Sequence, residues 1–308
     1  MGRLGIGMLL VALGLAWTAP ARAQAPVRQA PVRQEPMRVV ATFSILGDLV
    51  RQVGGERVAV TTLVGPNGDA HSFVPAPADA QAVAAARLVV VNGLGFEGWI
   101  DRLIKASGTK AKVVVASKGI VPIDEDDGHD HGHAVDPHAW QNVANTRTYI
   151  ANIRDGLGSV DPEGRAAYET NATAYLAKLD ALDGEVRAAL AGIPEARRRV
   201  VTTHDAFGYF AKAYGMRFLA PQGVSSQSEA TARDVAAIVR QVRRDKIPAV
   251  FLENVSDPRL MQQIARESGA KAGGRVFSDA LSEPAGPAPT YLDMMRHNVK
   301  EFAAALNG

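Results

Sequence analysis

Apolar residues in this chain fall in short runs, and between the runs they recur at helical spacing. The runs 39–42, 58–64, 88–91 and 113–116 read as buried strands, with helices at 45–53, 81–86 and 99–106 between them. A second series places strands at 200–203, 217–220, 249–253 and 275–278, and helices at 207–214, 231–243, 259–268 and 291–306. Such alternation argues for mostly parallel sheets covered on both faces. Between the two series a longer helix is expected. Asp161 is its N-cap and Pro162 its first helical position. Tyr168, Ala172, Tyr175, Leu176, Leu179, Leu182, Val186 and Leu190 follow at helical spacing, and Pro194 stands beyond the end. At 1.5 Å per residue this helix would span roughly 45 Å, enough to traverse both series.

The expected fold class is therefore α/β, with two lobes, each a four-stranded mostly parallel sheet with flanking helices. One long backbone helix joins them. The N-terminal lobe is drawn at 37–160, the linking helix at 161–192 and the C-terminal lobe at 193–308. The segment 124–133, Asp-Glu-Asp-Asp-Gly-His-Asp-His-Gly-His, breaks the pattern. It offers nothing apolar to bury and reads as a mobile loop.

Residues 1–23 read as a secretory signal peptide. Arg3 supplies the charge, 4–17 the apolar stretch and Ala21-Arg22-Ala23 the cleavage site. The Pro/Gln-rich stretch 24–36 is then a flexible leader. Cleavage would remove Arg3 and Arg22 and bring the formal net charge from +2 to zero. That balance excludes a strongly basic face, so nucleic acid and anionic membrane are poor partners. No later apolar run is long enough to span a bilayer. Hydrophobic residues at 47% and charged residues at 21% suit an ordinary globular protein. Cysteine is absent. That rules out thiolate metal ligation and leaves no residue for a lipid anchor after the signal, so a free periplasmic protein is expected.

Candidate chemistry lies in four residues far apart in sequence. His71 is in the loop after the second strand. His138 follows Asp136-Pro137 and precedes a helical segment. His204 follows the first strand of the second series, and Asp279 follows its last. In open α/β sheets ligands bind beyond the carboxyl ends of strands, so all four can converge on an interlobe cleft. Three imidazoles and one carboxylate form a closed tetrahedral set suited to Zn²⁺. Singly, a histidine after a strand is more often a cap or a surface residue, and Asp279 alone reads as an N-cap. The joint placement carries the argument. His129, His131 and His133 share the acidic loop and form an auxiliary capture site or a solvated tract. His297, in the last helix, reads as surface.

Other signals are weaker. Glu253, ending the strand 249–253, orients a ligating histidine from behind or serves as a cap or ion-pair partner; Asp205 has the same two readings. Gly93-Leu-Gly-Phe-Glu-Gly98 matches a dinucleotide-binding pattern but lacks its acidic partner, and reads as a tight strand–helix turn. Asn171 and Asn254 stand in glycosylation triplets that an exported bacterial-type protein gives no weight.

The chain resembles a known family over 38–306: the periplasmic solute-binding proteins of zinc and manganese ABC transporters. The motifs are Val-Gly-Pro-Asn-Gly-Asp-Ala-His-Ser-Phe-Val-Pro (64–75), Asn-Gly-Leu-Gly-Phe-Glu (92–97), Asp-Pro-His-Ala-Trp (136–140), Thr-His-Asp-Ala-Phe-Gly-Tyr-Phe (203–210) and Ser-Asp-Ala-Leu-Ser (278–282). The resemblance implies two lobes on a rigid helix, an interlobe metal site at His71, His138, His204 and Asp279, and delivery to a permease powered by an ATPase. Manganese members typically carry glutamate at the third ligand position. His204 there, with the histidine-rich loop, implies the zinc branch. The expected protein is a non-enzymatic monomer that carries Zn²⁺ for import. The rivals are a manganese carrier of the same class, a zinc hydrolase with Glu253 as base, and a zinc buffer or metal-regulated adhesin.

Overall fold

The computed structural model describes residues 1–2, 35–124, 135–227 and 230–307. Almost all of the expected signal peptide and of the leader lies outside them, as do His129, His131 and His133. Two parallel sheets organise the rest. In the first, β1 (Met37–Phe43), β2 (Val58–Val64), β3 (Leu88–Val91) and β4 (Lys112–Val115) lie in the order β2-β1-β3-β4. In the second, β5 (Arg199–Val201), β6 (Arg217–Leu219), β7 (Ala249–Glu253) and β8 (Lys271–Val276) repeat that order as β6-β5-β7-β8. β1 and β3 are buried on both faces, as strands under crossover helices must be.

The first crossovers are α1 (Ser44–Gly54), α2 (Pro77–Ala85) and α3 (Ile100–Ser107). Then come α4 (Val143–Val160) and α5 (Arg165–Ala191), followed by α6 (Gly208–Tyr214), α7 (Ala232–Asp245), α8 (Pro258–Ser268) and α9 (Tyr291–Asn307). α4 is the helical segment expected after His138, and it runs for 18 residues. Its sequence, rich in Asn, Thr and Gly, hides the apolar stripe Val143, Tyr149, Ile150, Ile153 and Leu157. Gly156 lets α4 lie close on β4, since a Cβ there would come within 2.6 Å of Val114.

α5 is the expected long helix, shortened at its start. Asp161 and Pro162 open a 3₁₀ turn, Pro162–Gly164, and the α-helix begins after it. Asp161 accepts the Gly164 N–H and both a guanidinium edge of Arg57 (3.0 and 3.0 Å) and the Tyr168 hydroxyl (2.5 Å). α5 buries Tyr168, Ala172, Tyr175, Leu179, Leu182, Val186 and Leu190 along one face. That stripe packs on α1 and α4 and on α9, so one helix serves both lobes. The main core accordingly runs through both, from Val39 and Leu88 to Phe251 and Phe302. A smaller core under α7 and α8 covers the outer face of the second sheet.

β8 differs from the expected strand at 275–278. Lys-Ala-Gly-Gly-Arg-Val gives no apolar run, and the ladder with β7 slips between Val250 and Leu252. Gly273 is required there, because a Cβ would come within 2.5 Å of the Phe251 ring. No helix among the described residues is long and apolar enough to cross a membrane.

Candidate metal centre

Each of the four sequence candidates sits on a segment held by hydrogen bonds. The loop 65–76 after β2 carries His71. Asp69 Oδ1 accepts the His71 N–H at 2.9 Å, and the Trp99 indole donates to the Ala70 carbonyl at 2.8 Å. The His71 ring stands edge-on to Phe96, with centroids 4.7 Å apart. His138 leads into the 3₁₀ turn Ala139–Gln141. Asp136 Oδ1 accepts its backbone N–H at 2.8 Å and lies 2.8 Å from its ring Nδ1. That contact fixes Nδ1 as the protonated nitrogen and leaves the Nε2 lone pair facing inward.

His204 follows β5. Glu253, at the end of β7, accepts the Thr203 and His204 N–H groups with Oε1 (2.6 and 3.0 Å). Its other oxygen lies 2.6 Å from His204 Nδ1. Asp279 stands three residues beyond β8. The carbonyl of its neighbour Ser278 accepts from the Trp140 indole at 3.0 Å and from Gln141 Nε2 at 2.8 Å. Both donors belong to the N-terminal lobe.

Together these contacts bring four side chains to one point. His71 Nε2 is 3.3 Å from His138 Nε2. Asp279 Oδ2 lies 3.5 Å from His71 Nε2 and 3.1 Å from His204 Nε2, and Asp279 Oδ1 lies 3.4 Å from His138 Nε2. All four ligand atoms lie within 4.8 Å of one another. A tetrahedral ion with nitrogen and oxygen ligands at about 2.05 Å has edges of about 3.4 Å. With Asp279 Oδ2 as the oxygen ligand, the separations of 3.3, 3.5 and 3.1 Å already lie near that figure. His138, His204 and Asp279 are wholly buried, and neither Asp279 oxygen nor His204 Nε2 finds a well-aligned hydrogen-bond partner among the described residues. Buried carboxylate oxygens without donors are costly unless a cation completes them.

The electrostatics agree. Burial would lift the Asp279 carboxyl, but the His204 and His138 rings hold it well below its ordinary value. Burial would likewise lower the His204 imidazole, but the Glu253 and Asp279 charges drive it well above 6.5. Without a cation, the site stabilises its charge by keeping a proton on His204.

The weaker candidates separate. Glu253 contacts His204 directly. Asp205 does not: burial and the nearby Asp136 charge raise its carboxyl, and no hydrogen bond among the described residues joins that carboxylate to a cluster histidine. Asp136 was missed as a partner of His138, although an aspartate two residues before a histidine is an Asx-turn signal. Gly93 and Gly95 have positive φ (85° and 80°), and Glu97 folds back to accept the Asn92 and Gly93 N–H groups, so this is a tight turn. His297 is half-buried rather than surface, with Nε2 2.8 Å from the Arg275 carbonyl and its ring against Phe277.

Two parallel lobes on a shared helix, with a buried imidazole–carboxylate cluster between them, define a metal-binding solute-binding protein. The chain belongs to the family of the periplasmic zinc-uptake complex component A (ZnuA), whose pattern matches residues 39–305. It is 37% identical to a manganese-binding lipoprotein, MntA, of Halalkalibacterium halodurans over 88% of each chain. It is 33% identical to the iron-binding protein YfeA of Yersinia pestis over 86% of this chain and 85% of that one. Among solved structures, the periplasmic zinc-binding protein TroA of Treponema pallidum superposes with a TM-score of 0.83 at 29% identity, covering 89% and 99%. A manganese-bound periplasmic metal-binding protein from Candidatus Liberibacter asiaticus does so with a TM-score of 0.78 at 30% identity, covering 87% and 98%. The protein is thus a non-enzymatic, metal-binding component of an ABC transporter, which works with a permease and an ATPase.

Proposed function

We propose that the chain captures Zn²⁺ in the periplasm on His71, His138, His204 and Asp279 and delivers it to the permease. The observation that carries this reading is the donor set. Three imidazoles and one carboxylate, spaced at tetrahedral edges and closed to solvent, suit Zn²⁺ better than the oxygen-rich, higher-coordinate shell that Mn²⁺ favours. Four protein ligands leave no position for an activated water, so the ion is cargo.

Residues 1–23 serve as the export signal in this reading. In the same reading the protein works in the periplasm as a monomer. His129, His131 and His133 form an auxiliary site that gathers zinc before transfer inward. His71→Ala and His204→Ala each weaken Zn²⁺ binding by at least about 100-fold, as loss of one of four ligands should. Near-wild-type affinity in both would refute the assignment.

A second reading is favoured by a specific observation: the relative at 37% identity is named for manganese. It keeps the same ligands and transporter role and changes only the cargo.

A further inference from the structure

Asn92 follows β3 and is wholly buried, and every polar group it carries is used. Its N–H donates to Glu97 Oε1 at 2.6 Å. Its carbonyl accepts from the Ser117 hydroxyl at 2.6 Å and from the Ser117 N–H at 3.2 Å. Its side-chain oxygen accepts from the hydroxyl of Tyr149, on α4, at 2.6 Å. Its side-chain nitrogen donates to the carbonyls of Gly93 and Pro137, each at 2.9 Å. Such an amide has one orientation, because turning it over would face both carbonyls with an oxygen.

That orientation bears on His138. The Pro137 carbonyl and the His138 N–H are the two ends of one peptide unit. Asn92 holds the first, and Asp136 Oδ1 accepts the second at 2.8 Å. The same Asp136 oxygen also contacts the ring Nδ1, so Asp136 alone would let peptide and ring pivot together about one carboxylate. Asn92 reaches the unit from the end of β3 and removes that freedom. The Ala139 N–H shares the Pro137 carbonyl but comes from the same turn as His138, so it does not tie that turn to the sheet. The turn 92–97 is itself fastened to β1, since Glu97 Oε1 also accepts the Thr42 hydroxyl at 2.5 Å. Phe96, in that turn, stands edge-on to the His138 ring with centroids 5.9 Å apart.

We propose that Asn92 is a positioning residue that fixes the His138 imidazole for the ion, with Tyr149 setting the orientation of its amide. This inference rests on the zinc site proposed above and deepens it. Three measurements on the full chain separate positioning from stability: competitive titration with Zn²⁺, the visible spectrum of the Co²⁺-loaded protein, and thermal unfolding of the ion-free protein. Asn92→Ala should weaken Zn²⁺ binding about tenfold and shift the Co²⁺ bands, because the angle at one ligand changes. Tyr149→Phe keeps the core filled and should weaken binding several-fold with a shift of the same bands; it carries the test if Asn92→Ala does not fold. Ser117→Ala deletes a buried bond to the carbonyl of Asn92 and leaves the amide alone. It should lower the melting temperature and change neither affinity nor spectrum. In the His138→Ala background, Asn92→Ala should cost no further affinity, since its effect runs through that ring. Wild-type affinity in Tyr149→Phe, equal losses in Ser117→Ala and Asn92→Ala, or full additivity with His138→Ala would overturn the positioning role and leave the zinc site standing. Wild-type affinity in His138→Ala would overturn both.

Discussion

Trp140, in the N-terminal lobe, donates its indole N–H to the backbone carbonyl of Ser278, in the C-terminal lobe, at 3.0 Å. The residue two before Trp140 is His138, and the residue after Ser278 is Asp279. One buried hydrogen bond thus ties a cluster residue of one lobe to a cluster residue of the other. Gln141 Nε2 shares the same acceptor, and the Tyr291 hydroxyl donates to the Trp140 carbonyl at 2.8 Å. Trp140→Phe keeps the packing and deletes the donor. It should destabilise the ion-free protein by about 1–2 kcal/mol and weaken Zn²⁺ binding several-fold, because Asp279 loses part of its support. Thermal unfolding and competitive titration of the same preparation check both effects.

Glu253 and Asp205 offer a matched comparison, since both are carboxylates close to His204. Glu253 holds the backbone of His204 and abuts its Nδ1, whereas Asp205 makes no bond to the ring. Glu253→Gln should lower Zn²⁺ affinity by roughly 10- to 100-fold, the usual cost of losing such a partner. Asp205→Asn should change it by no more than about threefold. Equal losses in the two variants would show that bulk negative charge, rather than orientation of His204, is what matters.

The ion-free protein should have an unusual pH profile. Asp279 and Glu253 have carboxyls below their ordinary values of 3.8 and 4.5. Their contribution is present above those values and is lost as pH falls through the folded-state values. His204 lies above its ordinary 6.5, so its contribution is complete below 6.5 and is lost as pH rises through the folded-state value. Stability of the ion-free form should therefore fall on both sides of a window between the two. Zn²⁺ must displace the His204 proton, so binding near neutral pH should release about one proton. Calorimetry in buffers of different ionisation enthalpy measures it directly.

Away from the site, Arg57 and Asp161 make a two-bond contact at the junction of α4 and α5. Arg57 is about a third exposed, so solvent screens much of the pair's electrostatic value. Asp161→Ala also removes the Tyr168 and Gly164 bonds, and should cost about 1–2 kcal/mol in stability. Zn²⁺ affinity should stay at the wild-type value, because the helix is a brace distant in sequence from every cluster residue.

Much of this architecture was legible in the residues. β3 and β7 fall where their apolar runs place them, since a strand buried on both faces has no competing pattern. The four cluster residues were legible because each follows a strand or opens a turn, where open α/β sheets gather ligands. β8 was not legible: Gly273 serves the close approach to Phe251 and Gly274 lies against the Glu301 side chain, tertiary requirements with no local signature. Asp136 and the Trp140–Ser278 bond were hidden for a related reason. One depends on a ring nitrogen's partner, the other on two segments 138 residues apart.

The central claim is that His71, His138, His204 and Asp279 together select Zn²⁺. The most direct measurement is a competitive titration of the protein with Zn²⁺ and Mn²⁺ against a chelator of known affinity, repeated with His204→Glu. One tight Zn²⁺ per chain, preferred over Mn²⁺, with the preference narrowed in His204→Glu, is the predicted result. A preference for Mn²⁺ in the wild-type chain would contradict it.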